Sequence, residues 1–175
     1  KAIFTGYEGM EKFFPKDKIV HTGNPVRSVI HEMNVDRVEA YKFFGLDATK
    51  KTLFVFGGSL GAQSINDAFL ACISELGVKD IQVIWQTGKT FGNTAKEATA
   101  EFKNVKVFEF LREMEMAYAI ADVIVSRAGA LSIAELSIVG KPVVFVPYPH
   151  AAEDHQTHNA MALVNKNAAR LIKDS

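Results

Sequence analysis

The chain has 175 residues, of which 48% are hydrophobic and 23% are charged, the composition of a globular domain with a sizeable core. Its 20 basic and 20 acidic residues balance, which argues against a nucleic-acid-binding protein and against attachment to acidic lipid by charge alone. Because Cys72 is the only cysteine, an intrachain disulfide and a cysteine-based zinc site are excluded. No apolar run approaches the roughly 20 residues of a membrane span, so we expect a soluble protein of the reducing cytosol.

The predicted elements are irregular at first and then alternate. In the first part of the chain, strands at 3–5 and 18–22 and a helix at 37–44 are possible. From residue 52 onward, apolar segments alternate with segments whose apolar residues recur every three or four positions, as on one face of a helix. We predict strands at 52–56, 81–86, 105–110, 122–126, 143–146 and 169–172, and helices at 62–76, 94–102, 113–121, 131–139 and 155–165.

Two details of this pattern are open to a structural check. Gly77 follows the helix predicted at 62–76, where a helix C-cap is expected. Trp85, Phe108 and Phe110 lie on predicted strands, so their rings are expected in the core.

Short, nearly all-apolar strands separated by helices are typical of a parallel sheet that is buried on both faces. Right-handed crossovers then predict a doubly wound, Rossmann-like α/β domain. Ligands of such sheets bind beyond the carboxyl ends of the strands, where loops lead into helices. The loops at that edge are therefore the candidate site.

The first of these loops is Gly57-Gly58-Ser59-Leu60-Gly61. Its glycines allow the backbone to come close to a ligand, and the N-terminus of the following helix is suited to a phosphate. The loop lacks the Gly-Lys-Ser/Thr of a P-loop and the glycine spacing of the dinucleotide fingerprint. A phosphate-binding loop and a tight structural turn both remain open on these residues.

The second loop, Ser126 to Ala130, leads into a helix that is apolar on nearly all sides but contains Glu135. A carboxylate in such a helix is costly unless it has a partner. Glu135 is therefore expected to accept hydrogen bonds from a ligand, such as a pair of ribose hydroxyls, or to form a salt bridge with Arg127 or Lys141.

Two further stretches complete the set. Residues 147–159 contain three of the five histidines, but the spacing of His155 and His158 matches no standard zinc signature, so polar contacts to a sugar, with Gln156 among them, are favoured over a metal. Asn24-Pro25 is a turn signal, and Arg27 just after it could donate to a diphosphate or be a solvated surface charge.

In this order, GNPVR, FGGSLGAQSIN, SRAGALSIAEL and GKPVVFVPYPHAAEDHQTHNA resemble the carboxyl-terminal domain of the bacterial MurG family of glycosyltransferases, and the resemblance covers nearly the whole chain. It implies that residues 1–175 are the UDP-GlcNAc-binding half of a GT-B enzyme whose amino-terminal acceptor domain is absent. The implied reaction is the inverting transfer of N-acetylglucosamine from UDP-GlcNAc to the lipid-linked muramoyl-pentapeptide (lipid I). This reaction makes lipid II for peptidoglycan, at the cytoplasmic face of the plasma membrane, where the family is peripheral.

The resemblance also implies roles for individual residues. Arg27 and Ser59 would bind near the diphosphate, and the backbone of Leu111 would contact uracil. Gln156 would hold the sugar, His155 stands where a second amide can occur, and Arg127 would support the pocket. The nucleotide would be lined by Ala130, Leu131, Ser132, Ile133, Ala134 and Glu135, with Glu135 on the ribose hydroxyls, and the phosphate loop would be Gly57, Gly58 and Gly61.

The chain has no Asp-x-Asp metal motif, so neither a metal nor another cofactor is expected. The resemblance places the catalytic base in the missing domain, and this chain is expected to bind the donor without turning it over.

Three alternatives remain open. One is another GT-B enzyme that uses a UDP-sugar, such as a glycolipid synthase or a UDP-GlcNAc epimerase. Another is the donor-binding module of a split glycosyltransferase, which acts only with a membrane-anchored partner. A plain dinucleotide-binding domain is disfavoured, because the fingerprint is absent and no acidic residue follows the first loop at about 20 residues.

Overall fold

Two short strands near the start of the chain pair only with each other. In the computed structural model, which describes residues 1–174, β1 (Ile3–Thr5) and β2 (Ile19–His21) form a two-stranded parallel sheet. Both strands match their predicted positions. These two strands form a separate small sheet and are not hydrogen-bonded to the main sheet. Ser175, the last residue of the predicted domain, lies outside the described residues.

The main sheet has six strands, all parallel, which confirms the predicted α/β fold. Its spatial order is β5-β4-β3-β6-β7-β8, so the chain starts in the middle and builds outward in both directions. The switch point of such a sheet, here between β3 and β6, is where ligands bind. The strands are β3 (Lys51–Phe56), β4 (Ile81–Gln86), β5 (Val105–Phe108), β6 (Val123–Ser126), β7 (Val143–Phe145) and β8 (Arg170–Leu171).

The described residues form seven α-helices besides the strands: α1 (Ser28–His31), α2 (Arg37–Phe44), α3 (Gln63–Val78), α4 (Gly92–Ala98), α5 (Met114–Ile120), α6 (Ala130–Val139) and α7 (His155–Val164). Helices α3 and α4 pack on one face of the sheet, over Val55, Val83 and Trp85. The other five contribute to the core on the opposite face, around Phe54, Ile84, Ile124 and Phe145. Successive strand residues thus enter opposite cores, which explains why these strands are nearly all apolar.

The prediction for Gly77 is wrong. Helix α3 continues through it to Val78 and ends at Lys79. A Cβ at Gly77 would overlap the ring of Phe102, so the glycine permits close packing and does not end the helix.

The prediction for Phe110 is also wrong, because β5 ends at Phe108 and the Phe110 side chain is 58% exposed. Trp85 is fully buried, as predicted, and Phe108 is partly buried against the core.

Helix α4 begins and ends earlier than predicted, and the Thr99 hydroxyl that follows it donates to the carbonyl of Ala95. Within residues 1–174, no helix has the length and apolar character needed to cross a membrane.

Candidate functional site

Two adjoining cavities open at the carboxyl ends of the strands. The first, here called the α5-side cavity, has a volume of about 460 Å³. The second, the α3-side cavity, has a volume of about 760 Å³. Gly58 and Ser132 line both, so the two cavities meet between the glycine loop and the start of α6. Together they bring Arg27, Ser59, Leu111, Arg127, Leu131, Ser132, Glu135 and Gln156 to one edge of the sheet.

The glycine loop joins β3 to α3 and separates the two cavities. Gly61 has a φ of +81°, and a Cβ there would overlap the carbonyl oxygen of Thr87, so this glycine is needed for packing. Gly58 has a φ of +92° but open space beside it, and with Gly57 it faces the α3-side cavity. The exposed Ser59 lines the α5-side cavity. The loop is thus anchored at Gly61 and leaves room for a ligand beside Gly58.

Glu135 forms a bidentate ion pair with Arg27. The Arg27 Nε and Nη2 atoms donate to the two carboxylate oxygens at 2.7 and 3.0 Å. The Glu135 side chain is only 13% exposed, whereas that of Arg27 is 47% exposed. The expectation that this carboxylate has a partner is confirmed within the chain, and in the salt-bridge alternative the partner is Arg27 and neither Arg127 nor Lys141. The actual partner lies 108 residues away in the chain.

Tyr118 adds a second contact to this carboxylate. Its hydroxyl donates to Oε2 of Glu135 at 3.3 Å. Burial, and then the neighbouring Glu135 charge, raise the pKa of the Tyr118 hydroxyl, so it remains a donor. The hydrogen bond to Glu135 raises the pKa of the Arg27 guanidinium. The Glu135 carboxylate therefore accepts three hydrogen bonds, two from Arg27 and one from Tyr118.

The start of α6 offers free backbone donors. The first hydrogen bond of this helix runs from the N–H of Ile133 to the carbonyl of Gly129, and no side chain caps the N-terminus. The N–H groups of the first three helical residues thus have no acceptor within the helix. Leu131 and Ser132 line the α5-side cavity, whereas Ile133 is buried in the core, and Ala130 and Ala134 line neither cavity. Such a helix N-terminus favours an anion.

Arg127 is buried, and both terminal nitrogens of its guanidinium are hydrogen-bonded within the chain. Its Nη1 donates to the carbonyls of Val146 and Pro147, both at 3.0 Å, and to Oδ2 of Asp174 at 2.6 Å. Its Nη2 donates to the hydroxyl of Ser64 at 2.8 Å. Arg127 therefore supports the wall of the α3-side cavity and has little capacity left for a ligand.

Asp174 is the carboxylate that sequence reasoning missed in this network. Burial alone would raise its pKa, but the hydrogen bonds from Ser64 and Arg127 and the Arg127 charge together lower the pKa below its ordinary value. Asp174 is therefore ionised at neutral pH and ties the exit of β8 to the loop after β6.

Leu111 follows β5 and is buried at the α5-side cavity. Its backbone N–H donates to Oε1 of Gln86 at 2.9 Å. The N–H is thus already occupied by a side chain of the same chain, and Gln86 was not predicted as a site residue.

The first turn of α7 brings one of its two predicted residues to the site. Gln156 lines the α3-side cavity, and its Oε1 accepts the backbone N–H of Tyr148 at 3.0 Å. That bond leaves the Nε2 donors of Gln156 available for a ligand. His155 is exposed, lies with its Nδ1 2.7 Å from the carbonyl oxygen of Ala152, and lines neither cavity. In the described part of the chain, no three His, Cys, Asp or Glu side chains form a group suited to a metal ion.

Comparison with known proteins identifies the family. The model of the glycosyltransferase family 28 C-terminal domain matches residues 52–175. The chain belongs to this family. The matched region contains the six-stranded sheet apart from Lys51, the first residue of β3, and every predicted site residue except Arg27.

Curated family 28 relatives resemble the chain from end to end. The UDP-N-acetylglucosamine–N-acetylmuramyl-(pentapeptide) pyrophosphoryl-undecaprenol N-acetylglucosamine transferase of Cytophaga hutchinsonii is 55% identical over 174 residues, which is 99% of this chain and 47% of the relative. The enzyme of the same name from Parabacteroides distasonis is 51% identical, covering 98% of this chain and 47% of the relative. The chain thus spans about half the length of the curated relatives it matches.

A solved structure gives the same result. The crystal structure of MurG from Acinetobacter baumannii is 29% identical and has a TM-score of 0.67, covering 92% of this chain and 45% of that one. The fold is therefore the predicted one, half of a GT-B glycosyltransferase. Sequence reasoning missed six residues of the α5-side cavity in this family 28 chain, of which Phe56 lies at the end of β3 and the other five lie on or after later strands. The six are Phe56, Gln86, Phe110, Arg112, Met114 and Tyr118.

Proposed function

We propose that this chain is the donor-binding half of an inverting glycosyltransferase that transfers N-acetylglucosamine from UDP-GlcNAc to lipid I. The product would be lipid II for peptidoglycan, made by a peripheral protein at the cytoplasmic face of the plasma membrane. One observation carries the proposal: the Glu135 carboxylate, bonded to Arg27, lines a cavity of about 460 Å³ together with Leu131 and Ser132 at the uncapped start of α6. Relatives of about 50% identity that are named as this transferase support the choice of substrates.

The donor fits the site in parts. The two ribose hydroxyls donate to the Glu135 carboxylate, whose oxygens also accept from Arg27 and Tyr118. The diphosphate lies against the α6 N-terminus and the Ser59 hydroxyl, and Arg27 neutralises it by a charge-assisted hydrogen bond. The uracil ring lies beside Leu111, and the sugar extends into the α3-side cavity toward the Nε2 donors of Gln156.

The bond changes of the transfer follow from this placement. The acceptor's sugar hydroxyl attacks the anomeric carbon from the face opposite the diphosphate, and the bond to the β-phosphate oxygen breaks with its electron pair leaving on UDP. The charge that develops there meets Arg27 and the α6 amides, which are in place before the reaction.

The proton of the acceptor hydroxyl needs a base. Tyr118 remains protonated and Glu135 is committed to Arg27 and the ribose, so neither serves. We therefore propose that the base comes from the acceptor-binding half and that this chain alone binds the donor without turnover.

A calorimetric titration tests the proposal. UDP-GlcNAc, UDP-glucose and NAD are titrated into the chain in the presence of EDTA, with Glu135→Ala as the test variant and Asp122→Ala as the control. Asp122 is also a carboxylate bonded to a cation, but Lys51 is its partner, 2.9 Å away at the opposite edge of the sheet. We expect binding of UDP-GlcNAc in preference to the other two, retained in Asp122→Ala and lost in Glu135→Ala.

Two results would contradict it. Equal binding of all three ligands, or binding that Glu135→Ala leaves intact, would remove the assigned donor site. Multiple-turnover transfer by the chain alone to a soluble lipid I analogue would show that the base lies within these residues.

A further inference from the structure

Gln86 is a buried polar side chain between two loops of the candidate site. It is the last residue of β4, it is 3% exposed, and it lines the α5-side cavity. Its Nε2 donates to the carbonyl of Gly58 at 3.0 Å, and its Oε1 accepts the N–H of Leu111 at 2.9 Å. One amide group thus links the glycine loop after β3 to the loop after β5.

The orientation of this amide is determined by its partners. A carbonyl oxygen can only accept and a backbone N–H can only donate, so an amide turned by 180° would lose both bonds. The Gly58 carbonyl also accepts the N–H of Gly61 at 3.1 Å, which closes the turn of the glycine loop. Gln86 therefore bonds to the same atom that defines the shape of that loop.

The two linked loops have different tasks in the proposed function. In that proposal the glycine loop, with Gly58 and Ser59, contacts the diphosphate of UDP, and Leu111 contacts its uracil base. Strands β3 and β5 are not neighbours, because β4 lies between them. Among the described residues, Gln86 is the one side chain that forms hydrogen bonds to both Gly58 and Leu111.

We propose that Gln86 is a positioning residue that holds the base subsite and the diphosphate subsite at the separation that a nucleoside diphosphate requires. This inference rests on the proposed function, since it assigns those two loops to parts of UDP. Gln86 acts through Gly58 and Leu111 and forms no bond to the reacting atoms. Its loss should penalise a ligand that spans both loops more than a ligand that contacts one.

The chain contains a matched control for this idea. Gln82 is on the same strand and the same face as Gln86, and it is equally buried, at 2% exposed. It also bridges backbone groups, accepting from the N–H of Asp47 and donating to the Asp47 carbonyl. It lies toward the opposite end of β4, away from both cavities. Gln82→Leu should therefore destabilise the fold like Gln86→Leu without changing the site.

The experiment measures the dissociation constants of UDP and of uridine for the wild-type chain, Gln86→Leu and Gln82→Leu. Two lost hydrogen bonds correspond to about a tenfold change in affinity or more. We expect Gln86→Leu to weaken UDP by about tenfold or more while uridine changes by less than about threefold. Gln82→Leu should leave both constants within about threefold of the wild type. A general loss of stability would not change the ratio of the two constants.

Equal weakening of UDP and uridine by Gln86→Leu, or no weakening of either, would overturn the inference while leaving the proposed function intact. Failure of the wild-type chain to bind UDP would overturn both.

A second measurement needs no variant, so it also serves if Gln86→Leu fails to fold. In the wild-type chain, uridine alone should shift the NMR signals of the Gln86 side-chain amide and of the Gly58 N–H, because the amide connects the two loops. Shifts confined to residues around Leu111 would contradict the proposal.

Discussion

The molecule contains two arginine–carboxylate pairs at one sheet edge, and they differ in what surrounds them. Arg127 and Asp174 are 10% and 9% exposed, and the guanidinium also donates to two carbonyls and a hydroxyl. Arg27 is 47% exposed and donates only to Glu135 within the described residues. The first pair lines the α3-side cavity and the second lines the α5-side cavity.

This difference in exposure indicates that one pair stabilises the fold and that the other is available to a ligand. A buried pair whose guanidinium is also bonded to carbonyl and hydroxyl oxygens holds chain segments together, and breaking it leaves an unpaired charge in the interior. In the Arg27–Glu135 pair the carboxylate is mostly buried but the arginine is about half exposed, so solvent screens the pair more and the arginine is accessible to a ligand. We therefore assign the Arg127–Asp174 pair to the framework and the Arg27–Glu135 pair to the donor.

The largest expected effect is on the stability of the buried pair. Arg127→Met should lower the free energy of unfolding by about 3 kcal/mol or more, because Asp174 loses its cation in the interior. Urea denaturation followed by circular dichroism measures this. Lys96→Met is the control, since Lys96 pairs with Glu109 on the surface at 2.9 Å and should cost less than about 1 kcal/mol. Similar losses in both variants would remove the distinction between framework and surface pairs.

A smaller effect is expected at the open pair, and mainly in affinity. Arg27→Met should raise the dissociation constant of UDP by about tenfold, because a charge-assisted hydrogen bond to the diphosphate is lost. The free energy of unfolding should fall by less than in Arg127→Met, because Arg27 is about half exposed although Glu135 loses its cation. Calorimetry and urea denaturation give the two values, and Lys89→Met, which removes an exposed cation at the same sheet edge, is the control. A stability loss as large as that of Arg127→Met would contradict the assignment.

The smallest expected effect is on the pH dependence of folding stability, to which Asp174 of the buried pair contributes. The pKa of Asp174 in the folded chain lies below its ordinary value of 3.8, so its ionised form stabilises the fold at higher pH. That contribution is complete above the unfolded pKa and is lost as the pH falls through the folded pKa. The stability difference between the wild type and Asp174→Asn should therefore narrow below about pH 4. Urea denaturation at several pH values checks this, and a difference that widens on acidification would contradict it.

Much of the fold could be predicted because buried positions appear in the sequence as apolar residues with a characteristic spacing. Residues 52–56 and 81–86 pack against a core on both faces, so most of them are apolar and the segments are recognised as central strands. Gly77 was misread because a glycine that permits a close ring contact looks the same in sequence as one that ends a helix. Phe110 was misread because an aromatic residue just past a strand resembles one within it.

The site was partly predictable for a similar reason. Glu135 stands out because a carboxylate in an apolar helix must have a partner. Gln86 and Asp174 gave no such signal, since a glutamine at a strand end or an aspartate near the end of the chain is usually solvated. Only the contacts with Leu111 and Arg127 show that they are buried and bonded.

The sequence by itself determined the alternation of strands and helices, the glycine loop and the need of Glu135 for a partner. These depend on local periodicity and on the cost of burying a charge, and both can be judged from residues that are close in the sequence. The tertiary structure decided which arginine meets which carboxylate, and that Gln86 joins two loops. Those pairings connect residues 25 to 108 positions apart, and only the packing of the sheet brings them within hydrogen-bond distance.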